Sequence, residues 1–417
     1  MLAPVIPSAV AGGAGACFIF ALPADSLRNR FAVTLPCLTT MDSQLKRIVV
    51  LGSTGSIGQQ TLDIARAFQN KLQVTGLACG NNTGLFLKQV REFNPRLAYC
   101  AASVHLPAGV LRASMEEMAA YPQADMVIVA TTGKAGLSPA IAALQAGKTV
   151  AIANKEILVM AGALLKQLAA RHKGAILPVD SEHSAVWQCL QGEAPEISRL
   201  LLTASGGPFI GWPVEKLHGV TAAQALNHPT WKMGKKVTVD SATLFNKGLE
   251  VIEAHWLFNL PFDKIEVVIH RQSVVHSMVE FRDGSVKAQL STPDMRLPIQ
   301  YALFYPERMH NPGIQPLDFK KAHNLTFEPV DFAEYPCLKL AINAGKLGGT
   351  YPTVLCAADE TAVNLFLNNS ISFTEIATII EKTLDMHRPV SNPGLEDILR
   401  SDKWACETAL KAARKDI

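Results

Sequence analysis

The sequence predicts an α/β protein with an N-terminal doubly wound parallel sheet, a central α+β region and a C-terminal helical bundle. Three observations support this prediction. Short apolar runs alternate with helical patterns up to residue 179, Asp283-Gly284 is a strong hairpin signal, and only helical patterns follow Tyr335. With 417 residues and 48% hydrophobic side chains, the chain is long enough for two or three domains.

The N-terminal region carries the alternation of strands and helices. Residues 47–51 form a β-branched run that ends at Gly52, which predicts a buried parallel strand feeding a glycine turn. A helix is expected next, with Leu62, Ile64 and Phe68 on its buried face. The further predicted strands are 72–78, 126–130 and 149–153, and helices are predicted around 86–93 and 137–146.

The pattern changes after about residue 180. The strands predicted around this change are 175–179, 200–203, 265–270, 278–281 and 286–290, and the helices predicted near the C-terminus are 337–344, 357–367 and 373–386. The expected organisation is an extension at 1–45, a sheet domain at 46–179, a central domain at 180–305, a proline-bearing linker at 306–330 and a helical domain at 331–417.

Composition argues against several classes of protein. The net charge of +3, without a run of like charges, gives no field that would attract nucleic acid or a membrane surface. The eight cysteines form no Cys-x-x-Cys pair, so neither a zinc site nor a dithiol motif is indicated. Their scatter fits reduced thiols in a cytoplasm-like compartment.

The first forty residues differ from the rest. The apolar stretch at 9–24 is too short to span a bilayer, and no basic residue precedes it, which argues against a secretory signal. Arg28 and Arg30 leave an organelle transit peptide open. We favour a disordered or misassigned extension before Met41, with a cytoplasmic protein as the consequence; a transit peptide would instead indicate a plastid-type organelle.

A glycine turn marks a nucleotide site. The segment Gly52-Ser53-Thr54-Gly55-Ser56-Ile57-Gly58 follows the first predicted strand, where a Rossmann-like fold binds a pyrophosphate at a helix N-terminus. The hydroxyls of Ser53, Thr54 and Ser56 add donors. The alternative is a glycine turn without a ligand, since the spacing is Gly-x-x-Gly-x-x-Gly rather than Gly-x-Gly-x-x-Gly.

Two later strand ends bear on the cofactor. The segment Cys79-Gly80-Asn81-Asn82-Thr83 has no acidic residue for a ribose 2′-hydroxyl, which favours NADP over NAD. The segment Asn154-Lys155-Glu156 ends another strand and would reach the nicotinamide half. The alternative for the latter is a solvated loop.

Acidic residues indicate a metal site. Asp180 and Glu182 are two residues apart at a predicted strand end, so both carboxylates would point to one side, and Glu250 would be a third ligand from a helix. Oxygen ligands suit Mg²⁺ or Mn²⁺ rather than zinc. Taken alone, the pair at 180 and 182 would be ordinary surface acids.

A polar stripe predicts a phosphate site beside that metal. Asn246 and Lys247 lie four and three residues before Glu250 on a predicted helix, and Ser241 would cap its N-terminus. Ser205 begins a hydroxyl-and-glycine loop that completes a phosphate cradle. The alternative is an amphipathic helix with a surface Lys–Glu pair.

Residues 227–234 form a loop punctuated by proline and glycine that carries His228, Trp231 and Met233. Large apolar groups on such a loop are what a lid needs to exclude water. A loop whose tryptophan packs on the core is an equal alternative.

Together these segments resemble the 1-deoxy-D-xylulose 5-phosphate reductoisomerase family, from about Lys46 to near the C-terminus. The most specific matches are residues 179–183 and 239–250; residues 52–58, 153–156, 205–209, 228–234 and 293–296 also match. The resemblance implies an NADPH domain, a catalytic and dimerising domain, a linker and a helical bundle, arranged as a homodimer.

The resemblance also implies a reaction. 1-Deoxy-D-xylulose 5-phosphate would be isomerised, by a retro-aldol/aldol pair or an α-ketol shift, and then reduced by NADPH to 2-C-methyl-D-erythritol 4-phosphate. This is the committed step of the non-mevalonate isoprenoid pathway. The implied ion is Mg²⁺ or Mn²⁺, with Co²⁺ as a further candidate, and fosmidomycin is the family's inhibitor.

Residue roles follow from the same resemblance. The implied metal ligands are Asp180, Glu182 and Glu250, and the implied catalytic residues are Lys155, Glu182, His228 and Glu250. The implied substrate contacts are Lys155, Ser181, Glu182, Ser205, His228, Trp231, Ser241, Asn246, Lys247 and Glu250. The implied cofactor contacts are Thr54, Gly55, Ser56, Ile57, Gly80, Asn81, Asn82, Asn154, Lys155, Glu156 and Gly234.

The chain departs from the family at three places. Asn81 stands where some members have lysine, Arg271 replaces a common proline, and the segment at 356–360 replaces a version that carries asparagine.

Two other functions stay open on the residues alone. A different NADP oxidoreductase, such as a homoserine-dehydrogenase-like protein, would share the sheet without requiring the metal triad. A nucleotide-sensing binding protein would lack a carboxylate cluster facing the cofactor.

Overall fold

A seven-stranded parallel sheet forms the N-terminal part of the protein. The computed structural model describes residues 45–193, 196–231, 233–321 and 324–414, so the predicted extension lies outside the described residues except for Leu45. The strands are β1 Lys46–Leu51, β2 Leu72–Cys79, β3 Leu97–Cys100, β4 Leu111–Arg112, β5 Met126–Val129, β6 Thr149–Ile152 and β7 Ala175–Pro178. The helices that connect them are α1 Ser56–Ala67, α2 Thr83–Phe93, α3 Met115–Ala119, α4 Leu137–Gln145 and α5 Lys155–His172.

The strand order places a crevice beside β1. The sheet runs β4-β3-β2-β1-β5-β6-β7, so the chain leaves β1 toward β2 on one side and later returns to β5 on the other. In such sheets, ligands bind outside the carboxyl ends of the strands at this reversal. The turns that begin at Gly52, Ala130, Ala153 and Val179 therefore meet along one edge.

Two glycines allow the turn after β1 to close tightly. Gly52 has φ +92°, and a Cβ there would lie 2.3 Å from the carbonyl oxygen of Ala130, so only glycine fits. A Cβ on Gly58 would lie 2.2 Å from the carbonyl oxygen of Gly52. The second contact brings α1 directly over the turn, with its N-terminus facing the crevice.

A second sheet of five strands follows, in the order β11-β10-β8-β9-β12. Its strands are β8 Ile197–Ala204, β9 Ile265–Ile269, β10 Val275–Phe281, β11 Val286–Leu290 and β12 Glu328–Pro329. The helices of this region are α6 Ser181–Cys189, α7 Val214–Leu217, α8 Ala222–Ala225, α9 Lys235–Ala242, α10 Phe245–Phe258 and α11 Arg296–Phe304. The hairpin predicted at Asp283-Gly284 joins β10 to β11, which pair antiparallel.

Four helices complete the described chain: α12 Pro336–Leu347, α13 Tyr351–Leu367, α14 Glu375–Asp385 and α15 Leu395–Ala413. One continuous core runs through all three regions; it includes Val50 of β1, Leu249 of α10 and Val354 of α13, each at most 1% exposed. The predicted fold class is confirmed. Within the described residues, no helix combines the length and apolar character needed to cross a bilayer.

Candidate active site

Three carboxylates converge at the crevice. Asp180 follows β7 and caps α6 by accepting a hydrogen bond from the Ser181 backbone N–H at 2.9 Å. Glu182 lies in the first turn of α6, and Glu250 lies within α10. One carboxylate oxygen from each residue lies within 4.8 Å of the others. Asp180 and Glu182 were predicted to converge because residues two apart share one face of a strand. That reason was wrong, because the two side chains lie at the N-terminus of a helix.

Two lysines neutralise most of this charge. The Lys155 ammonium, at the start of α5, lies 3.0 Å from Glu250 Oε1 and also contacts Asp180. The Lys247 ammonium lies 2.8 Å from Glu182 Oε1 and also contacts Glu250. Three negative and two positive formal charges leave one net negative charge. A divalent cation is therefore attracted to the cluster.

Burial and pairing shift the pKa values within the cluster. Burial disfavours charged Lys155, but attraction by Asp180 and Glu250 outweighs it and raises the pKa of Lys155 well above its usual value. Burial also disfavours charged Asp180, but Lys155 and His183 outweigh it and lower the pKa of that carboxyl. Burial and the charge of Glu182 raise the pKa of Glu250. Glu250 is thus a carboxylate that a bound cation would stabilise.

The donor set fits a hard divalent ion. All three groups are carboxylates, and Asp180 Oδ2 is buried without a hydrogen bond, held only by its ion contact with Lys155. A second acidic group, formed by Asp180, His183 and Glu253, lies deeper. His183 and Glu253 are at most 1% exposed and do not line the cavity, so the first group is the accessible one.

A cavity of about 810 Å³ joins the predicted substrate and cofactor residues. Its lining includes the predicted residues Gly55, Ser56, Ile57, Asn154, Lys155, Glu156, Asp180, Ser181, Glu182, Ser205, Trp231, Gly234, Ser241, Asn246, Lys247 and Glu250. The cavity therefore reaches from the N-terminus of α1 to the carboxylates of α6 and α10. Residues that are up to about 200 positions apart in the sequence therefore line one cavity.

The polar side chains around the carboxylates are already oriented. Asn246 Nδ2 donates to Glu250 Oε1 at 2.6 Å, and Ser181 Oγ donates to Glu182 Oε2 at 2.5 Å. The predicted capping role of Ser241 was wrong. Ser241 lies inside α9, and the residue before α10 is Leu244, with φ +54°. Ser241 instead faces the cavity.

His228 anchors the predicted lid loop. Its Nδ1 accepts hydrogen bonds from the backbone N–H groups of Thr230 and Trp231, at 3.1 and 2.9 Å. Nε2 therefore carries the proton of the neutral ring and donates to Ser205 Oγ at 3.1 Å. Burial lowers the pKa of His228, which favours this neutral form. His228 is not part of the cavity lining, whereas Trp231 is.

Around the predicted cofactor residues, backbone groups are more available to a ligand than side chains are. Gly55 and Ser56 are exposed at the N-terminus of α1, but Ser53 is buried and its hydroxyl donates to Gln89 Oε1 at 2.8 Å. The expectation that Ser53 adds a phosphate donor was therefore wrong. Asn154 Nδ2 donates to the Gly133 carbonyl at 2.8 Å, and Asn154 Oδ1 accepts from the Ile157 backbone N–H. The Asn154 amide thus fixes the neighbouring turn.

Four predicted cofactor residues lie outside the cavity lining: Thr54, Gly80, Asn81 and Asn82. The last three are exposed after β2, next to the glycine turn, and Asn82 Oδ1 caps α2 through the Leu85 N–H at 3.3 Å. Asn81 is also exposed at this edge, but unlike Asn82 it does not cap α2. They extend the cofactor side along the sheet edge.

Several lining residues had no predicted role, among them Thr131, His276, Met295 and Arg296, whereas Met233, predicted on the lid loop, does line the cavity. His276 Nε2 lies 2.8 Å from Ser291 Oγ, and burial lowers the pKa of His276 to about 4. The matched segment at 293–296 was the available signal for Met295 and Arg296. No local sequence pattern indicated Thr131, which lines the cavity because it follows β5 and β5 lies next to β1.

Three domain families match the chain. They are described as 1-deoxy-D-xylulose 5-phosphate reductoisomerase at residues 48–162, 1-deoxy-D-xylulose 5-phosphate reductoisomerase C-terminal domain at 176–258, and DXP reductoisomerase C-terminal domain at 290–408.

Curated relatives agree with these families. The 1-deoxy-D-xylulose 5-phosphate reductoisomerase of Pelotomaculum thermopropionicum is 52% identical over 385 residues, which are 89% of this chain and 99% of the relative. That of Thermoanaerobacter pseudethanolicus is 51% identical, over 88% of this chain and 99% of the relative.

Two solved structures are also similar. The Zymomonas mobilis enzyme in complex with NADPH has a TM-score of 0.81 at 40% identity, covering 89% of this chain and 99% of that one. A DOX-P reductoisomerase in complex with NADPH, fosmidomycin and magnesium has a TM-score of 0.83 at 39% identity, covering 89% and 98%.

Proposed function

This chain belongs to the 1-deoxy-D-xylulose 5-phosphate reductoisomerase family, and we propose that the carboxylate and lysine cluster at 155, 180–182 and 246–250 is its catalytic centre. The enzyme isomerises 1-deoxy-D-xylulose 5-phosphate and reduces the product to 2-C-methyl-D-erythritol 4-phosphate, with NADPH and a divalent ion. The observation that carries the proposed centre is the convergence of Asp180, Glu182 and Glu250 on the cavity that also contains the N-terminus of α1.

Asp180, Glu182 and Glu250 would hold the ion. When bound, the ion supplies Lewis-acid polarisation of the substrate carbonyl and fixes adjacent substrate oxygens. Ser181 and Asn246 orient the ligands, since their side chains already donate to Glu182 and Glu250. These hydrogen bonds keep two ligand carboxylates in place before the ion arrives.

The lysines and hydroxyls would bind and orient the substrate. Lys247, Ser205 and Ser241 line the cavity and would offer donors to the phosphate and the hydroxyls. Lys155 lies between the ligand carboxylates and the cofactor turn at Asn154. Its ammonium can hold a proton beside the substrate oxygen that gains charge during reduction.

The cofactor would bind along the edge of the first sheet. NADPH supplies the hydride. The backbone N–H groups of Gly55, Ser56 and Ile57 at the start of α1 would face the pyrophosphate, and residues 80–82 would face the adenosine 2′-phosphate. Glu156 and Gly234 line the same cavity.

The loop at 228–234 would close over the substrate. His228 fixes the loop through two backbone N–H groups, and its Nε2–H reaches Ser205 on the far side. Trp231 faces the cavity and would exclude water from the reacting atoms. Closure of this loop would complete the site around the bound substrate.

The test is an assay of purified protein for NADPH oxidation with 1-deoxy-D-xylulose 5-phosphate. Oxidation is expected only when both the substrate and a divalent ion are present, and mass spectrometry should identify 2-C-methyl-D-erythritol 4-phosphate. Addition of a strong chelator should abolish turnover, and excess Mg²⁺ should restore it. Undiminished turnover after chelation would contradict the metal assignment.

We also propose a homodimer that pairs through the second sheet. The second sheet has exposed apolar side chains at both of its edges: Val286, 49% exposed, lies on the edge strand β11, and Leu325, Phe327 and Phe332 lie near the opposite edge strand β12 in sequence. Exposed apolar groups next to a sheet edge are typical of an interface. Light scattering at micromolar concentration should give twice the chain mass; a monomer would contradict the proposal.

The domain boundaries at 46–179, 180–305, 306–330 and 331–417 stay part of this proposal, as does a cytoplasmic location. The described cysteines are all free thiols, which supports a reducing compartment. Mass spectrometry of the native N-terminus tests the location. A mature chain that begins well after Met1 with a processed end would instead support a plastid-type organelle.

A further inference from the structure

A buried ion triad joins α9 to the C-terminal bundle. The Lys236 ammonium lies 2.6 Å from Asp240 Oδ2, one turn later on α9, and 2.7 Å from Asp359 Oδ2 on α13. The Asp240 and Asp359 side chains are 2% and 0% exposed. Among the described residues, the Asp359 carboxylate makes no hydrogen bond, so Lys236 is its counter-ion.

Helix α9, which carries Lys236 and Asp240 of this triad, lies between two parts of the site. α9 begins directly after Gly234, where the loop 228–234 ends, and Thr238 Oγ1 donates to the Gly234 carbonyl at 2.9 Å. At its other end, Ser241 faces the cavity. A shift of α9 would therefore move the base of the loop and a substrate contact together.

The triad also reaches the helix of the metal ligand. The Lys236 ammonium lies 5.2 Å from the centre of the Phe245 ring, and Phe245 is the first residue of α10. Asn246, Lys247 and Glu250 follow on that helix. The same lysine thus touches α9, α10 and α13.

We propose that Lys236, Asp240 and Asp359 are positioning residues, which hold α9 in the one placement that brings the loop 228–234 and Ser241 to the substrate. This inference rests on the proposed function. Its physical basis is the penalty for leaving a buried charge without a partner, which any displacement of α9 from α13 would incur. The C-terminal bundle thereby acts on substrate binding without touching the substrate.

A second ion pair gives a matched control. Lys134, in the turn before α4, pairs with Asp402 of α15, whose side chain is 5% exposed. This pair also fastens the bundle to the rest of the protein, but within the described part of the chain neither side chain has an ion pair with α9. Loss of Asp402 therefore reports what weaker attachment of the bundle does by itself.

The test compares the full-length variants Asp359→Ala, Asp359→Asn and Asp402→Ala by steady-state kinetics and fosmidomycin binding. Asp359→Ala should raise the KM for 1-deoxy-D-xylulose 5-phosphate and the Kd for fosmidomycin together, by roughly tenfold. Asp359→Asn keeps an oxygen that can accept from Lys236, whose charge Asp240 still neutralises, and should stay within about twofold of the parent protein. Asp402→Ala should also stay within about twofold.

The outcomes separate the two proposals. Equal rises of KM in Asp359→Ala and Asp402→Ala, or no rise in either, would overturn the positioning role. An inactive parent protein would instead contradict the proposed function. Thermal unfolding checks that each variant is folded, and Asp359→Ser, which also withdraws the carboxylate, repeats the test if the alanine variant does not fold.

Discussion

The two ends of the cavity, one proposed for the metal and one for the cofactor, present charge in different ways. At the metal end, charged side chains do the work: the Lys247 side chain is 5% exposed and the Glu250 side chain 1% exposed, and each is paired before any ligand arrives. At the cofactor end, the exposed turn at Gly55 and Ser56 offers backbone N–H groups. Buried pairs concentrate the free energy of binding in a few residues, whereas backbone donors distribute it.

The comparison predicts that single substitutions have large effects at the metal end and small effects at the cofactor end.

The largest effect is expected for Glu250→Gln. Loss of a ligand removes several kcal/mol of charge stabilisation in the transition state, so kcat should fall by roughly a thousandfold with little change in the KM for NADPH. Steady-state kinetics at saturating Mg²⁺ measures both constants.

Glu253→Gln is the matched control for that variant. Burial and the nearby charge of Asp180 raise the pKa of Glu253 well above its usual value, which favours the neutral carboxyl that glutamine resembles. Its effect on kcat should be far smaller than that of Glu250→Gln. Equal losses in the two variants would show that the helix, rather than the ligand, was damaged.

The next largest effect is expected for Lys247→Ala. Removal of a buried ammonium should raise the KM for 1-deoxy-D-xylulose 5-phosphate by roughly a hundredfold. The Mg²⁺ concentration for half-maximal rate should not rise, because Glu182 and Glu250 lose a competing cation. Lys166→Ala is the control, since that lysine pairs with Asn259 away from the cavity. An unchanged KM would refute the phosphate role.

Trp231→Ala tests the loop between the two ends. A lid without its large side chain admits water and closes poorly, so kcat should fall by roughly tenfold. Trp212→Ala removes a similar side chain, 37% exposed and packed on Phe209, that does not line the cavity. If both variants lose the same fraction of activity, Trp231 is a packing residue rather than part of a lid.

The smallest effect is expected at the cofactor end, for Asn81→Lys. An exposed ammonium near the 2′-phosphate should lower the KM for NADPH by roughly two- to fivefold, and the gain should fade as salt is added. NADH lacks this phosphate and serves as the control cofactor. An equal gain with NADH would show that residue 81 does not face the 2′-phosphate.

Local features were predictable at both ends. The turn at 52–58 depends on glycines three residues apart, and the polar stripe of Asn246, Lys247 and Glu250 follows from their spacing on one helix. Both were confirmed, because only the local period of the backbone is needed to infer them. The misplaced cap at Ser241 had the same local basis, but the chain inserts a left-handed residue, Leu244, between two helices.

The remaining features depend on residues far apart in sequence. Spacing does not show that Lys155 pairs with Glu250, 95 residues later, or that Lys247 pairs with Glu182, 65 residues earlier. Ser53 was expected to donate to a phosphate, but Gln89 on α2 occupies its hydroxyl. Lys155 and Glu182 follow β6 and β7, which are neighbours in the first sheet, and α10 packs against α5 and α6, which brings Glu250 and Lys247 to them.

By itself, the sequence determined the fold class, the glycine turn and the resemblance to one enzyme family, and it predicted that three acidic residues converge. Tertiary structure decided which lysines neutralise those acids, which hydroxyls remain free for a ligand, and how the bundle reaches α9 through Asp359. The physical reason is that secondary structure follows short-range periodicity. The charge state and the availability of a polar group depend instead on the neighbours that burial gives it.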